Sequence, residues 1–136
     1  MRKGWDLWAE GKYFDFWSVN HFLSGVMVAA ALLLLNVSFW PAFVIAFLIF
    51  VAYELFEVAL QIGEHMTNRV TDIVVDVAGF FAAAYIFLVL QKPLSVTFLV
   101  IIVLLILVLT ILGYDAWVKR TKRRGKEPVD IKEIYK

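Results

Sequence analysis

The sequence predicts an all-α integral membrane protein, an antiparallel bundle of four helices preceded by a short interfacial segment. Hydrophobic residues make up 62% of the 136 residues, against roughly 45–50% in an ordinary soluble domain. Only 18% are charged, and they lie in a few blocks. The apolar runs therefore exceed the roughly 18 residues at which a run indicates a membrane-spanning helix. This pattern excludes a disordered chain, a soluble enzyme domain and a nucleic-acid-binding protein.

Four apolar segments have the length that a helix needs to cross the bilayer core, about 20 residues. They cover residues 16–35, 40–61, 70–90 and 95–117. Short connections make successive helices antiparallel neighbours. Pro41 suits the first turn of the second helix, and Pro93 cannot continue the third. Residues 1–15 alternate aromatic and charged side chains, which is typical of a helix in the headgroup layer. Residues 118–136 form a basic tail.

The distribution of Lys and Arg predicts the orientation in the membrane. Twelve of the 13 basic residues fall on the side that holds both termini and the 62–69 connection, and only Lys92 falls on the other. We therefore expect an inner-membrane protein with both its N and C termini in the cytoplasm. At the end of the fourth segment, Asp115 lies near Lys119, which we interpret as an interfacial ion pair.

Ionisable residues within the first three segments concentrate toward the side that holds the termini. Each costs roughly 2.5–3.5 kcal/mol at the centre of a spanning helix, so each requires an explanation. Spacings of three and four residues place them on one stripe of each helix. At about 1.5 Å per residue they also fall into one layer. We expect the three stripes to meet inside the bundle, and their members are His21, Glu54, Glu57, Asp72 and Asp76.

Small residues continue two of these stripes. Gly79 and Ala83 follow Asp76 in the third segment, and Gly25 follows His21 in the first. Because small residues let helices approach closely, we expect tight packing here. Ser18 is interpreted as a further packing residue.

Carboxylates this close together must share protons, bind a cation, or be neutralised by basic groups. The chain has no cysteine, which excludes thiolate ligands. An oxygen-rich set with one imidazole suits Mg²⁺ or Mn²⁺, with a di-metal centre as a further alternative. The leading hypothesis is a divalent-cation site whose ligands are His21, Glu54, Glu57, Asp72 and Asp76.

The expected role of the cation is to hold a phosphate-bearing lipid headgroup, from a phospholipid or a polyprenyl phosphate. Arg69 and Asn68 are expected to bind that ligand, and His21 or Glu64 to act as general acid or base. One alternative is a cation or proton conduit that uses the same carboxylates. Another is a non-catalytic assembly partner. Whether the protein is an enzyme stays open, and membrane lipids and a second copy of the chain are the expected partners.

The motif residues resemble the VanZ-like membrane proteins. That family's pattern is a histidine in the first helix, E-x-x-Q in the second, and R-x-x-D-x-x-x-N-x-x-G-x-x-x-G. The chain matches it from His21 to Ala83, with Glu57 at the Gln position, Asp76 at the Asn position and Ala83 at the last Gly position. The resemblance implies a cell-envelope protein, since the family's namesake is associated with teicoplanin resistance. The two acidic replacements favour a cation site.

Overall fold

The computed structural model describes Trp8, residues 13–60 and residues 65–123, with side chains as far as Arg120. These residues form four α-helices joined by short connections: α1 (Trp17–Leu34), α2 (Phe39–Ala59), α3 (Met66–Ala84) and α4 (Val96–Arg123). A π-helical stretch, Tyr85–Val89, continues α3. All four helices are long and apolar enough to cross a membrane, which confirms the predicted fold class.

Two connections turn through residues in the left-handed region of backbone conformation. Asn36, between α1 and α2, has a φ of 57°, and Gln91, after the π-helical stretch, has a φ of 50°. Asparagine adopts this conformation more readily than most residues. Pro41 lies in the first turn of α2, as its position in the sequence predicts.

The helices extend beyond the predicted spans at two places. α3 begins at Met66 rather than residue 70, because the polar residues before Val70 are helical although they do not contribute to an apolar run. α4 continues to Arg123 rather than ending at residue 117, and the predicted ion pair between Asp115 and Lys119 forms across one turn of this extension. Of the predicted interfacial segment, residues 1–15, the structure describes Trp8 and residues 13–15, and of the predicted basic tail, residues 118–136, it describes residues 118–123. The other residues of both segments lie outside the described part of the chain.

α1 and α3 are in backbone contact at two glycines. A Cβ at Gly25 would lie 2.9 Å from the Phe80 amide nitrogen, and one at Gly79 would lie 3.0 Å from the Phe22 carbonyl carbon. Each Cβ would lie closer still to a carbonyl oxygen, that of Asp76 for Gly25 and that of Phe22 for Gly79, at distances that real side chains do not show. Only glycine therefore permits this approach. The close packing predicted from the small residues is confirmed.

α4 packs on α1 at the edge of the bundle. Asn20 Nδ2 donates to Thr110 Oγ1 at 2.8 Å, and Gly113 lies against the rings of Trp17 and Trp8. Only 11% of the apolar part of α4 is buried inside the protein. Most of this helix therefore lies on the outside of the bundle.

The bundle has one polar end and one apolar end. We call the end at which α1 begins, α2 ends and α3 begins the termini end. The other end holds apolar residues of the core, among them Ala29, Ala42, Ala46, Phe80 and Ala84. Every buried charged residue of the described chain lies toward the termini end.

Candidate metal centre

His21, Glu54 and Asp72 meet between three helices near the termini end. His21 Nε2 lies 3.9 Å from Glu54 Oε1 and 3.8 Å from Asp72 Oδ2. One ligand atom from each residue lies within 4.8 Å of the other two. Counted at 1.5 Å per residue, the three residues are about 6–9 Å from the ends of their helices. The group therefore lies inside the bundle, less than two helical turns from the termini end.

The second ring nitrogen of His21 contacts another acid. His21 Nδ1 is 3.0 Å from Asp76 Oδ2, within hydrogen-bonding distance. Asp76 lies one turn further along α3 than Asp72 and is 2% exposed. Its second oxygen, Oδ1, is buried and has no hydrogen bond among the described residues. The imidazole is thus held between Asp76 on one side and Glu54 and Asp72 on the other.

Hydrogen bonds fix both oxygens of Asp72. Ser18 Oγ donates to Oδ1 at 2.8 Å, and Asn68 Nδ2 donates to Oδ2 at 3.2 Å. The same Asn68 nitrogen is 3.1 Å from Asp15 Oδ2. Asp15 Oδ1 in turn accepts the backbone N–H of Trp17 at 2.8 Å. The first turn of α1 and the first turns of α3 are therefore joined through side chains that orient Asp72.

Arg69 is the buried basic residue next to this group. Its side chain crosses from α3 to α2, where Nη1 donates to the backbone carbonyl oxygen of Glu54 at 3.4 Å. Arg69 is 8% exposed. A buried guanidinium needs both hydrogen-bond acceptors and negative charge nearby. The positive charge of Arg69 partly offsets the negative charges of Glu54, Asp72 and Asp76.

The structure brings together most of the residues that the sequence singled out. His21, Glu54, Asp72 and Asp76 are in contact, and Asn68 and Arg69 bind two of them. Glu57 is separate: its carboxylate accepts a hydrogen bond from the Tyr53 hydroxyl. Among the described residues, the group whose ligand atoms lie within 4.8 Å of one another comprises His21, Glu54 and Asp72 and does not include Glu57. Glu64 lies outside the described residues.

Sequence reasoning missed three residues of the site. Ser18 was interpreted as a packing residue, but its hydroxyl donates to Asp72; its position three residues before His21 on the same stripe is the signal that could have revealed this. The Tyr53 ring packs against the His21 ring in a T-shaped arrangement, with centroids 5.7 Å apart. Its position four residues before Glu57 predicts their contact. Asp15 precedes the predicted span and carried no comparable signal.

Comparisons with known proteins found no matching family model, no matching curated protein and no matching solved structure. The function is therefore argued from the geometry of the site.

Proposed function

We propose that this protein is an integral membrane protein that binds one divalent cation between His21, Glu54 and Asp72. The observation that carries the proposal is the convergence of one nitrogen and two carboxylate groups, from three different helices, to within 4.8 Å. A cation that moves to the centre of such a group draws the three ligand atoms inward. Ligand distances of roughly 2.0–2.3 Å then require only small side-chain rotations.

The charge of the site favours a divalent ion. Glu54, Asp72 and Asp76 contribute three negative charges and Arg69 one positive charge, and all four are buried. With a neutral imidazole, the group carries two excess negative charges in a region of low dielectric constant. Uncompensated buried charge of this size is strongly destabilising. A single divalent cation neutralises it.

The ligand set favours Mn²⁺ over Mg²⁺. Two carboxylates suit either ion, but Mg²⁺ prefers oxygen ligands and keeps most of its water, whereas an imidazole nitrogen is a ligand for transition metals. Three protein ligands leave about three positions of an octahedral shell for water or a further ligand. Mn²⁺ is also convenient to study, because it is paramagnetic.

Binding is tested by titrating Mn²⁺, Mg²⁺ and Ca²⁺ into the purified full-length chain in detergent, followed by calorimetry and by the loss of the free Mn²⁺ EPR signal. We expect one Mn²⁺ per chain in the wild type and loss of that binding in Asp72→Asn. The matched control is Asp115→Asn, which removes an exposed carboxylate paired with Lys119. Equal Mn²⁺ binding by the wild type and Asp72→Asn would contradict the proposal.

We further propose that the bound cation holds a phosphate-bearing lipid headgroup. Two features support this: the group is close to headgroup depth, and the ion has open coordination positions. The His21 side chain is 12% exposed, more than that of Glu54 or Asp72, so the site is not sealed. A phosphate oxygen is a good ligand for Mn²⁺ or Mg²⁺, and Arg69 supplies positive charge beside it.

Native mass spectrometry tests the headgroup. Phosphatidic acid, a polyprenyl monophosphate and inorganic phosphate are offered separately, each with and without Mn²⁺. We expect Mn²⁺-dependent retention of a lipid phosphate by the wild type, reduced in Arg69→Gln and unchanged in Lys119→Gln, which removes an exposed basic residue. Retention of inorganic phosphate alone would identify a free anion as the ligand, and metal-independent retention would contradict a cation-held headgroup.

The packing favours a binding site over a conduit for ions. Beyond Asp76, the described core toward the apolar end consists of residues such as Ala29, Phe50, Phe80 and Ala83. A path for cations or protons needs polar groups or water along its whole length. We therefore expect no Mn²⁺ or proton flux in liposomes containing the protein, and sustained flux would favour the conduit.

We also propose kinship with the VanZ-like proteins and a role in the cell envelope. The proposal rests on the motif residues, and the proximity of His21, Glu54 and Asp72 in the fold supports it. Gly79, another motif position, is required by the backbone contact between α1 and α3. Complementation of a strain that lacks a VanZ-like protein tests this kinship, and failure by a chain that accumulates in the membrane would contradict it.

A further inference from the structure

We infer that Asp76 is a positioning residue, which aims the His21 imidazole at the cation without ligating the ion itself. The inference rests on the proposed function, because it assigns Asp76 a role toward the same site. It also replaces the expectation from the sequence that Asp76 is a direct ligand. The observation behind it is that Asp76 contacts the ring nitrogen that does not face Glu54 and Asp72.

The hydrogen bond determines which tautomer of His21 is present. An ionised carboxylate can only accept hydrogen bonds, so His21 Nδ1 carries the hydrogen and donates it to Asp76 Oδ2, 3.0 Å away. In a neutral imidazole the other nitrogen then has the free lone pair. That nitrogen, Nε2, is the atom that faces Glu54 and Asp72. Asp76 therefore selects the tautomer that can bind the metal and holds the ring in the required direction.

Metal-bound histidines generally donate their second N–H to a carboxylate, a carbonyl group or water. Loss of that partner typically lowers metal affinity about 10- to 100-fold. In this protein the partner of His21 is the buried carboxylate of Asp76. The helices that carry His21 and Asp76, α1 and α3, are in backbone contact. The ring consequently has little freedom to find another acceptor, so the single hydrogen bond to Asp76 fixes its orientation.

Two substitutions separate positioning from ligation. In Asp76→Asn the side-chain carbonyl oxygen still accepts the Nδ1 hydrogen, and the amide group takes the place of Oδ1, which has no hydrogen bond among the described residues. In Asp76→Ala the acceptor is lost. Positioning therefore predicts near-wild-type affinity for Asp76→Asn and a loss of about 10- to 100-fold for Asp76→Ala. A direct ligand role predicts that both variants lose affinity, because an amide oxygen is a weaker ligand than a carboxylate.

The measurement is Mn²⁺ binding to the full-length chain by EPR titration, combined with pulsed EPR of the bound ion. Pulsed EPR detects the magnetic coupling between Mn²⁺ and an imidazole nitrogen, so it reports directly on His21. We expect this coupling in the wild type and in Asp76→Asn, and its loss or marked reduction in Asp76→Ala. A merely structural role for Asp76 would lower the unfolding temperature without changing the coupling in the folded fraction.

A double-mutant cycle with His21→Ala completes the test. If Asp76 acts through His21, Asp76→Ala causes no further loss of affinity once His21 is absent. An equal loss in both backgrounds would overturn the inference, as would retained nitrogen coupling in Asp76→Ala. If Asp76→Ala does not accumulate, the affinity of Asp76→Asn for Mn²⁺ tests the inference. A loss of affinity in Asp76→Asn would also overturn the positioning role. Failure of the wild type to bind Mn²⁺ overturns the proposed function and the inference with it.

Discussion

Gly25 of α1 lies directly against the backbone carbonyl group of Asp76 in α3, one helical turn from His21. This contact sets the distance between the two helices at the level of the candidate metal centre. The hydrogen bond between His21 and Asp76 spans the same interface. The packing of small residues and the polar site are therefore parts of one arrangement, in which close backbone approach lets short acidic side chains reach the imidazole.

Replacing Gly25 with Ala should separate α1 from α3. The added methyl group would lie 2.9 Å from the Phe80 amide nitrogen and closer still to the Asp76 carbonyl, and backbone atoms cannot move aside as a side chain can. Overpacking of this kind costs about 1–3 kcal/mol. We expect a lower unfolding temperature, followed by the fluorescence of the five tryptophans, and weaker Mn²⁺ binding.

The control for this prediction is Gly113→Ala. There the nearest atoms belong to the outer ends of the Trp17 and Trp8 side chains rather than to backbone, and the described contacts of His21 are with α2 and α3. We expect a smaller loss of stability and unchanged Mn²⁺ affinity. Equal effects of the two substitutions on Mn²⁺ binding would argue against a direct link between helix packing and the site.

Replacing Glu54 with Gln should lower stability relative to the wild type when metal is present but not when it is absent. In chelator, Glu54→Gln removes one of three buried acids around His21, so the repulsion among them falls and the variant should be at least as stable as the wild type. With Mn²⁺ at about one hundred times its Kd, binding raises the free energy of unfolding of the wild type by about 2.7 kcal/mol. The variant lacks this stabilisation. Thermal unfolding in Mn²⁺ and in EDTA measures both effects.

Glu57→Gln serves as the matched control for that experiment. Glu57 is the neighbouring acid of α2; it contacts Tyr53 and is not part of the group of His21, Glu54 and Asp72. Its replacement should leave the stabilisation by Mn²⁺ intact. A Glu54→Gln protein that is less stable than the wild type in chelator would instead indicate that Glu54 and His21 form a purely structural ion pair.

The sequence predicts the composition of the site better than its geometry. Spacings of three and four residues suffice to place His21, Glu54, Asp72 and Asp76 inside the bundle, because a helix has a fixed angular repeat. They do not determine which ring nitrogen of His21 meets which acid. That depends on the rotamer of His21 and on the relative height of α1 and α3, which the glycine contact sets. For the same reason the spacing does not determine that Glu57, three residues after Glu54, contacts Tyr53.

Replacing Asn68 with Leu should weaken cation binding without removing a ligand. Asn68 Nδ2 donates to Asp72 Oδ2 and to Asp15 Oδ2, and it keeps two acids of the same charge in fixed positions. Loss of a partner that orients a ligand lowers affinity about 10- to 100-fold. The control is Thr71→Ala, since Thr71 bonds only the Thr67 carbonyl among the contacts described for its side chain. Equal Mn²⁺ affinity of Asn68→Leu and wild type would contradict this role.

Replacing Arg120 with Gln should loosen the contact between the N-terminal segment and α4. Arg120 Nη1 donates to the backbone carbonyl oxygen of Trp8, and the Trp8 ring packs edge-on against Trp17 at a centroid distance of 4.8 Å. A partly buried, charge-assisted hydrogen bond is worth about 1.5–3 kcal/mol. Lys119→Gln is the control, because its exposed ion pair with Asp115 contributes less than about 1 kcal/mol. The measurements are thermal unfolding and quenching of tryptophan fluorescence, and equal behaviour of the two variants would contradict the prediction.

Reporter fusions should place the candidate metal centre on the cytoplasmic side of the membrane. Twelve of the 13 basic residues fall on the side of the termini, and cytoplasmic loops are enriched in Lys and Arg. We expect a fluorescent protein fused at the C terminus to fold and emit light, and alkaline phosphatase inserted next to Lys92 to be active. Changing Lys92 to Gln should leave this orientation unchanged. Alkaline phosphatase activity in a fusion at the C terminus would instead indicate the opposite topology. The site would then face lipid headgroups of the outer leaflet.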